Sequence, residues 1–170
     1  MQSANVALIK SLYAAFARRD GAAMAACYAP DAHFSDPVFT DLNGPEIGAM
    51  WSMLCGRAKD LEIRLVSATA GDDTGHARWE ADYPFSKTGR IVHNKIAATF
   101  RFRRNRIVDH LDEFSLWRWA GMALGAKGVA LGWLPPVRAA IRREADKGLR
   151  TFMLQGAAAT MPLPTRHDDA

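Results

Sequence analysis

Three side chains whose chemistry could move a proton stand in otherwise apolar surroundings. The first is Asp36, followed by Pro37 in the run Tyr28-Ala-Pro-Asp31-Ala-His33-Phe34-Ser-Asp36-Pro37-Val-Phe39. A short strand here would carry one carboxyl into a hydrophobic setting. Loss of hydration disfavours the charged form and lifts the pKa toward the range useful for proton transfer. An Asp-Pro pair also starts turns, in which the aspartate bonds its own backbone. The other two are His110 and Asp112. Alternation along residues 106–117 predicts one strand face with Val108, His110, Asp112 and Phe114, and another with Ile107, Asp109, Leu111 and Glu113. The strand rise separates His110 from Asp112 by roughly 7 Å, too far for a reliable mutual hydrogen bond but within reach of one bound molecule. In the preceding strand Asn94 is the lone polar member of the face Val92, Asn94, Ile96, Ala98, Phe100 and Phe102.

Apolar faces with polar groups only at selected points are what a small-molecule pocket requires. The alternative is a satisfied buried network in which His110 and Asp112 hold the sheet together. Taken with Asp36, a functional pocket is the preferred reading. Asp36, His110 and Asp112 are then the catalytic candidates, and Tyr13, Trp51, Trp79, Tyr83, Asn94 and Phe114 the expected ligand-binding residues. His93 falls on the other strand face and His33 is out of phase with Asp36, which leaves only His110 and carboxylates for a metal; none is expected.

The elements that must position these groups follow from periodicity. Ser3 caps a first helix with Val6, Ile9, Tyr13 and Phe16 on one side. Asp20-Gly21 ends it, and a second short helix covers residues 22–28. Gly44-Pro45 opens a third over 46–57, with Ile47, Met50, Trp51 and Leu54 inward. From Leu61 the pattern becomes alternating, giving strands at 61–65, 76–86, 90–103 and 106–117 separated by turns. Trp79, Ala81, Tyr83 and Phe85 share a face opposite Arg78, Glu80 and Asp82. Helices followed by antiparallel strands argue an α+β domain over residues 1–118. Residues 119–156 form a helical extension. Gly121, Gly125, Gly128 and Gly132 punctuate its first part, and Pro135-Pro136 start a helix over 135–155. That helix is basic and amphipathic, and its modest, Ala-rich stripe favours packing on its own domain or a partner subunit over an anionic membrane surface. The tail 157–170 is expected to be disordered.

Composition excludes several classes. The net charge of +4 is uneven: residues 1–117 carry 14 basic and 14 acidic side chains, and 118–170 carry 8 and 4. The densest basic cluster, Arg101, Arg103, Arg104 and Arg106, straddles a turn at Asn105, an ordinary place for exposed arginines, so no nucleic-acid partner is expected. Cys27 and Cys55 are too few for a disulfide framework and read as reduced, buried thiols. The segment beginning at Met1 lacks a basic n-region and an apolar h-region, and no apolar run would span a bilayer; a cytoplasmic protein is expected.

The element order and several short motifs together carry a resemblance. Leu12-Tyr-Ala-Ala-Phe16, the run from Tyr28 to Pro37, Gly44-Pro-Glu-Ile, Gly89-Arg90 and Arg106-Ile-Val-Asp-His-Leu-Asp112-Glu-Phe114 resemble the nuclear-transport-factor-2-like superfamily, in its SnoaL-like and ketosteroid-isomerase-like branch. The resemblance covers roughly residues 3–118. It implies a cone-shaped domain, with N-terminal helices on a strongly curved antiparallel sheet around a cavity, dimeric through the sheet's outer face. It also implies cofactor-free acid/base chemistry on a small hydrophobic carbonyl-type molecule: isomerisation, cyclisation or water addition. A non-catalytic binding protein for a hydrophobic molecule or lipid is the alternative. Asp36 falls where the isomerases place their general base, and His110 and Phe114 fall at cavity positions. Their tyrosine and protonated acid are matched here by Leu12 and Ala98, with Tyr13 turned by about 100° on the helix. Compared with limonene-epoxide-hydrolase-like members, Asp112 matches one catalytic aspartate, while Trp79 and Ala81 replace the arginine and second aspartate. Polyketide-cyclase-like members, with a histidine and an aspartate in the cavity, fit His110 and Asp112 best.

Overall fold

The computed structural model describes residues 4–57 and 59–160. Helix α1 (Ala4–Ala17) presents Ile9, Leu12, Tyr13 and Phe16 to the interior. Asp20 caps α2 (Gly21–Ala25), its side chain accepting from the Ala23 N–H at 2.9 Å, which satisfies one of the orphan donors at the helix start. Strand β1 (Tyr28–Ser35) and the short β2 (Leu42–Asn43) follow. Gly44, at φ +47°, turns the chain into α3 (Pro45–Arg57), and Glu46 reaches back to accept from the Asn43 N–H at 2.9 Å. Proline at the first helical position and an acid in the first turn suit this start.

Four long strands build the rest of the sheet: β3 (Glu62–Ala70), β4 (Thr74–Pro84), β5 (Ile91–Arg103) and β6 (Arg106–Glu113). Their order is β2-β1-β6-β5-β4-β3, antiparallel throughout except where β1 runs parallel to β6. Arg104 and Asn105 both take positive φ in the tight β5–β6 turn, a conformation whose twist matches that of the flanking strands. Register breaks between Leu65 and Ser67 in β3, and between Arg101 and Phe102 opposite β6, bend the sheet. Its concave face, with Trp79, Ala81, Ile96, Ala98, Phe100 and Phe102, packs against α1 and α3 as one core. This is the α+β architecture that the alternation predicts.

Several boundaries differ from expectation. The second helix stops at Ala25 rather than running to residue 28, and Tyr28 opens β1, pairing with Ile107. Pro30 favours extended backbone at the residue before it. The fourth strand ends at Glu113, because Ser115 caps a new helix by accepting from the Arg118 N–H. Trp117 therefore leaves the sheet. In β6, Ile107 pairs with Phe102 and Asp109 with Arg101, so the residue between them is the bulge. Ile107 thus joins His110 and Asp112 inside, in place of Val108.

The extension forms α4 (Leu116–Leu124), α5 (Ala126–Leu131) and α6 (Pro135–Thr160). A Cβ on Gly128 would lie 1.9 Å from the Ala120 carbonyl oxygen, so only glycine admits this crossing of α4 and α5. Helix α6 lays Leu149, with Ala145, Phe152 and Met153, against the core. The helix continues to Thr160, past the boundary at 157 from which a disordered tail is expected; residues 161–170 of that tail lie outside the described residues. Among the described residues no helix is long and apolar enough to cross a membrane.

Candidate functional site

A chain of five side chains crosses the interior. The Trp51 indole N–H donates to the Tyr28 hydroxyl oxygen at 3.1 Å, and that hydroxyl lies 2.7 Å from His110 Nδ1. His110 Nε2 lies 3.0 Å from Asp112 Oδ1, which also accepts from the Trp79 indole at 3.2 Å. Indoles only donate, so Trp51 occupies an acceptor position on Tyr28. One assignment has the Tyr28 hydroxyl donate to Nδ1 and the His110 proton on Nε2, aimed at Asp112. Every member is satisfied in this one direction. The His110 ring is boxed by Phe100 at 4.3 Å, Phe34 at 5.0 Å, Tyr28 at 6.0 Å and Trp51 at 6.3 Å between centroids. Burial, then the Asp112 charge, hold the Tyr28 phenol well above its ordinary pKa.

Asp36 stands one residue beyond the end of β1 and is half-buried. Its Oδ1 accepts from the backbone N–H groups of Val38 and Phe39 at 2.6 and 2.5 Å, so it is a turn aspartate. It is also a desolvated one. Burial pushes its pKa up to about 7 against the opposing Phe39 hydrogen bond, with the nearby Asp112 charge adding to the rise. Among the described residues its hydrogen bonds all use Oδ1, and Oδ2 has none. Tyr83, on β4, has its phenol raised by burial and by the Asp36 charge, and it accepts from the Trp119 indole at 2.8 Å. Tyr13 is 2% exposed, lies 5.2 Å from the Trp79 ring, and its hydroxyl has no hydrogen-bond partner among the described residues. Burial and the Asp112 charge raise that phenol too. Charge effects thus link Tyr83 to Asp36, and both Asp36 and Tyr13 to Asp112.

With this geometry in view, similarity to known proteins is informative. A family model described as a SnoaL-like domain matches residues 9–110. The chain belongs to the SnoaL-like family. Its SnoaL-like fold is also that of many solved structures. A ketosteroid-isomerase-like protein of Catenulispora acidiphila, crystallised with trimethylamine, superposes with a TM-score of 0.61 at 15% identity, covering 68% of this chain and 91% of that one. An epoxide hydrolase of the limonene-epoxide-hydrolase type from M. tuberculosis gives 0.61 at 14% identity, over 79% and 98%. IdmH of Streptomyces antibioticus, a candidate polyketide cyclase, gives 0.59 at 21% identity, over 72% and 99%. No curated protein matches the sequence.

The SnoaL-like framework brings the predicted residues together unequally. His110 and Asp112 are hydrogen-bonded, contrary to the expectation that 7 Å would part them. That spacing separates backbones, while the side chains lean along the strand and close the gap. Both His110 nitrogens are engaged, which leaves neither for a bound molecule. Trp51 and Trp79 belong to the relay. Asn94 is buried beside Ala81, and Phe114 is half-buried beyond the end of β6. Tyr13 and Leu12 both point inward, so the 100° turn does not carry Tyr13 out of the interior; α1 packs on β3, β4 and α2, with Phe16 reaching Trp51 of α3, and a wide arc of it is buried. Tyr28 is the relay member that sequence reasoning missed. Its place in an apolar run before Pro30 was visible, but the hydroxyl's partners lie 23 and 82 residues away.

The extension contacts the strands and turn around the site. Trp119 reaches Tyr83, Thr88 donates to the Ala123 carbonyl at 2.6 Å, and Arg142 Nε donates to the Pro37 carbonyl at 3.0 Å. Two surface grooves lie elsewhere. One of about 490 Å³ is lined by Ala25, Pro30, Pro45, Gly48 and Arg106 and touches Tyr28; one of about 380 Å³ is on the outer sheet face around Thr69, His76 and Thr99. Among the described residues no cluster of three His, Cys, Asp or Glu could hold a metal.

Proposed function

We propose that the chain performs cofactor-free acid/base chemistry on a small hydrophobic carbonyl-type molecule bound between Asp36 and Asp112. The observation that carries this reading is Asp36 itself: one oxygen clamped by two backbone N–H groups, the other without a hydrogen bond among the described residues, and a pKa of about 7. A base of that strength is half-deprotonated near neutral pH, where proton transfer from carbon next to a carbonyl is most effective. Tyr13, with its unpartnered hydroxyl near Asp112, is the proposed donor to the developing oxygen anion. His110 acts through Asp112 as a positioning residue, since its ring touches only protein. Solved relatives crystallised with small molecules support a small-molecule ligand. The two buried free thiols fit a reducing, cytoplasmic setting, and the outer sheet face is the proposed homodimer surface.

The test is hydrogen–deuterium exchange at the α-carbon of a panel of cyclic ketones and enones, followed by NMR. The unaltered protein should accelerate exchange for at least one member. Asp36→Asn should lose roughly a hundredfold to ten-thousandfold of that rate while keeping ligand affinity. Equal rates for both proteins would refute the proposal.

A second reading, a non-catalytic binder of a hydrophobic molecule, is favoured by the fully satisfied Trp51–Tyr28–His110–Asp112–Trp79 relay, which needs nothing from a substrate. Native mass spectrometry with a co-purifying ligand that is released chemically unchanged would favour it.

A further inference from the structure

We propose that the elbow of α4 and α5 is a docking surface for anionic lipid bilayers. Trp117, Val129, Leu131 and Trp133 are 48%, 55%, 47% and 61% exposed. Both tryptophans are tied to one turn: the Trp117 indole donates to the Val129 carbonyl at 3.0 Å and the Trp133 indole to the neighbouring Ala130 carbonyl at 3.1 Å, and Leu131 follows Ala130 at the end of α5. Those carbonyls belong to the last turn of α5, where intrahelical partners run out. Each indole therefore folds its one polar atom onto a backbone group that apolar surroundings would otherwise strand. What remains outward is apolar ring and aliphatic surface, the form that settles at a membrane interface.

Charge selects the occupant. Residues 114–143 hold five basic side chains (Arg118, Lys127, Arg138, Arg142 and Arg143) and no acidic one. Arg118, Lys127 and Arg138 are exposed, with no ion pair recorded among the described residues. Arg90 adds a further cation at the elbow, its Nε donating to the Met122 carbonyl at 2.9 Å. Of the two flanking acids, Glu144 is paired with Lys87, and Glu113 ends β6 on the outer sheet face around Thr69 and Thr99. An apolar patch rimmed by unpaired cations complements a surface of acidic headgroups. It opposes a two-fold contact with a second copy, which would bring like charges together.

The experiment sediments the full chain with phosphatidylcholine vesicles, with and without about a third phosphatidylglycerol. The unaltered protein should bind the anionic vesicles at least about tenfold more strongly than the neutral ones, with its exposed indoles quenched by brominated lipid. Leu131→Ser with Trp133→Ser should lower binding about tenfold or more, and Lys127→Glu with Arg138→Glu should abolish the preference for anionic lipid. Thermal melts of both double variants should match that of the unaltered protein. Absence of sedimentation and quenching with either vesicle would overturn the proposal, as would binding that both pairs leave unchanged. So would a dimer in solution that Leu131→Ser with Trp133→Ser converts to monomer, because the patch would then belong to a second copy.

Discussion

Asp36 satisfies both readings of an Asp-Pro pair, and the combination has a thermodynamic consequence. Its carboxyl holds a proton up to about pH 7 in the folded protein, above its ordinary value of 3.8. Between roughly pH 4 and pH 7 the folded state therefore keeps a proton that the unfolded chain has released. Stability from this group is full below that window and lost as pH rises through it. Asp36→Asn keeps the oxygen that accepts from Val38 and Phe39 but does not titrate. Its melting temperature minus that of the unaltered protein should grow as pH rises from 4 to 7 and level off above. The upper bound is about 4 kcal/mol, from about three pKa units. Parallel pH curves for the two proteins would show that Asp36 is not desolvated. The apolar run around Asp36 made this burial legible in the sequence. The Oδ1 clamp was legible only as a turn propensity.

At the level of elements, strand faces could be read wherever alternation was unbroken, as along β4 and β5. They could not be read through the β6 bulge, because an extra residue leaves composition unchanged and yet exchanges Val108 for Ile107 inside. The end of β6 was hidden for a related reason: Phe114, Leu116 and Trp117 continue a plausible strand until Ser115 is seen to cap α4. The glycines of the extension were visible as punctuation, but their purpose is a distance. Gly128 lets α5 lie against the Ala120 carbonyl, and Gly128→Ala should lower stability by about 2–4 kcal/mol because backbone, not a flexible side chain, must give way. Gly156→Ala, whose added Cβ meets nothing within 4 Å, should instead raise stability by about 0.5–1 kcal/mol. Denaturant melts of the two variants compare them directly, and a Gly128→Ala melt no lower than the unaltered one would refute the close crossing.

For the molecule as a whole, the SnoaL-like match ends at residue 110, yet the site does not. Helix α6 starts 25 residues after that boundary and still reaches the Asp36 turn, where Arg142 Nε holds the Pro37 carbonyl. The two contacts have different physics. The hydrogen bond fixes the position of the turn, while the guanidinium charge lowers the Asp36 pKa against the larger effect of burial. Arg142→Gln separates them, because glutamine can still donate an N–H but carries no charge. Asp36 should then titrate at higher pH than in the unaltered protein, read as a shift of its side-chain carbon resonance in NMR. The stability loss that Asp36 causes should move to higher pH with it. A conical domain acting alone would show no such shift, and an unchanged Asp36 titration in Arg142→Gln would assign the extension a purely mechanical role. An upward shift makes the basic extension part of the electrostatics of Asp36, since a charge on the last helix would then tune the proton affinity of a carboxyl more than a hundred residues earlier.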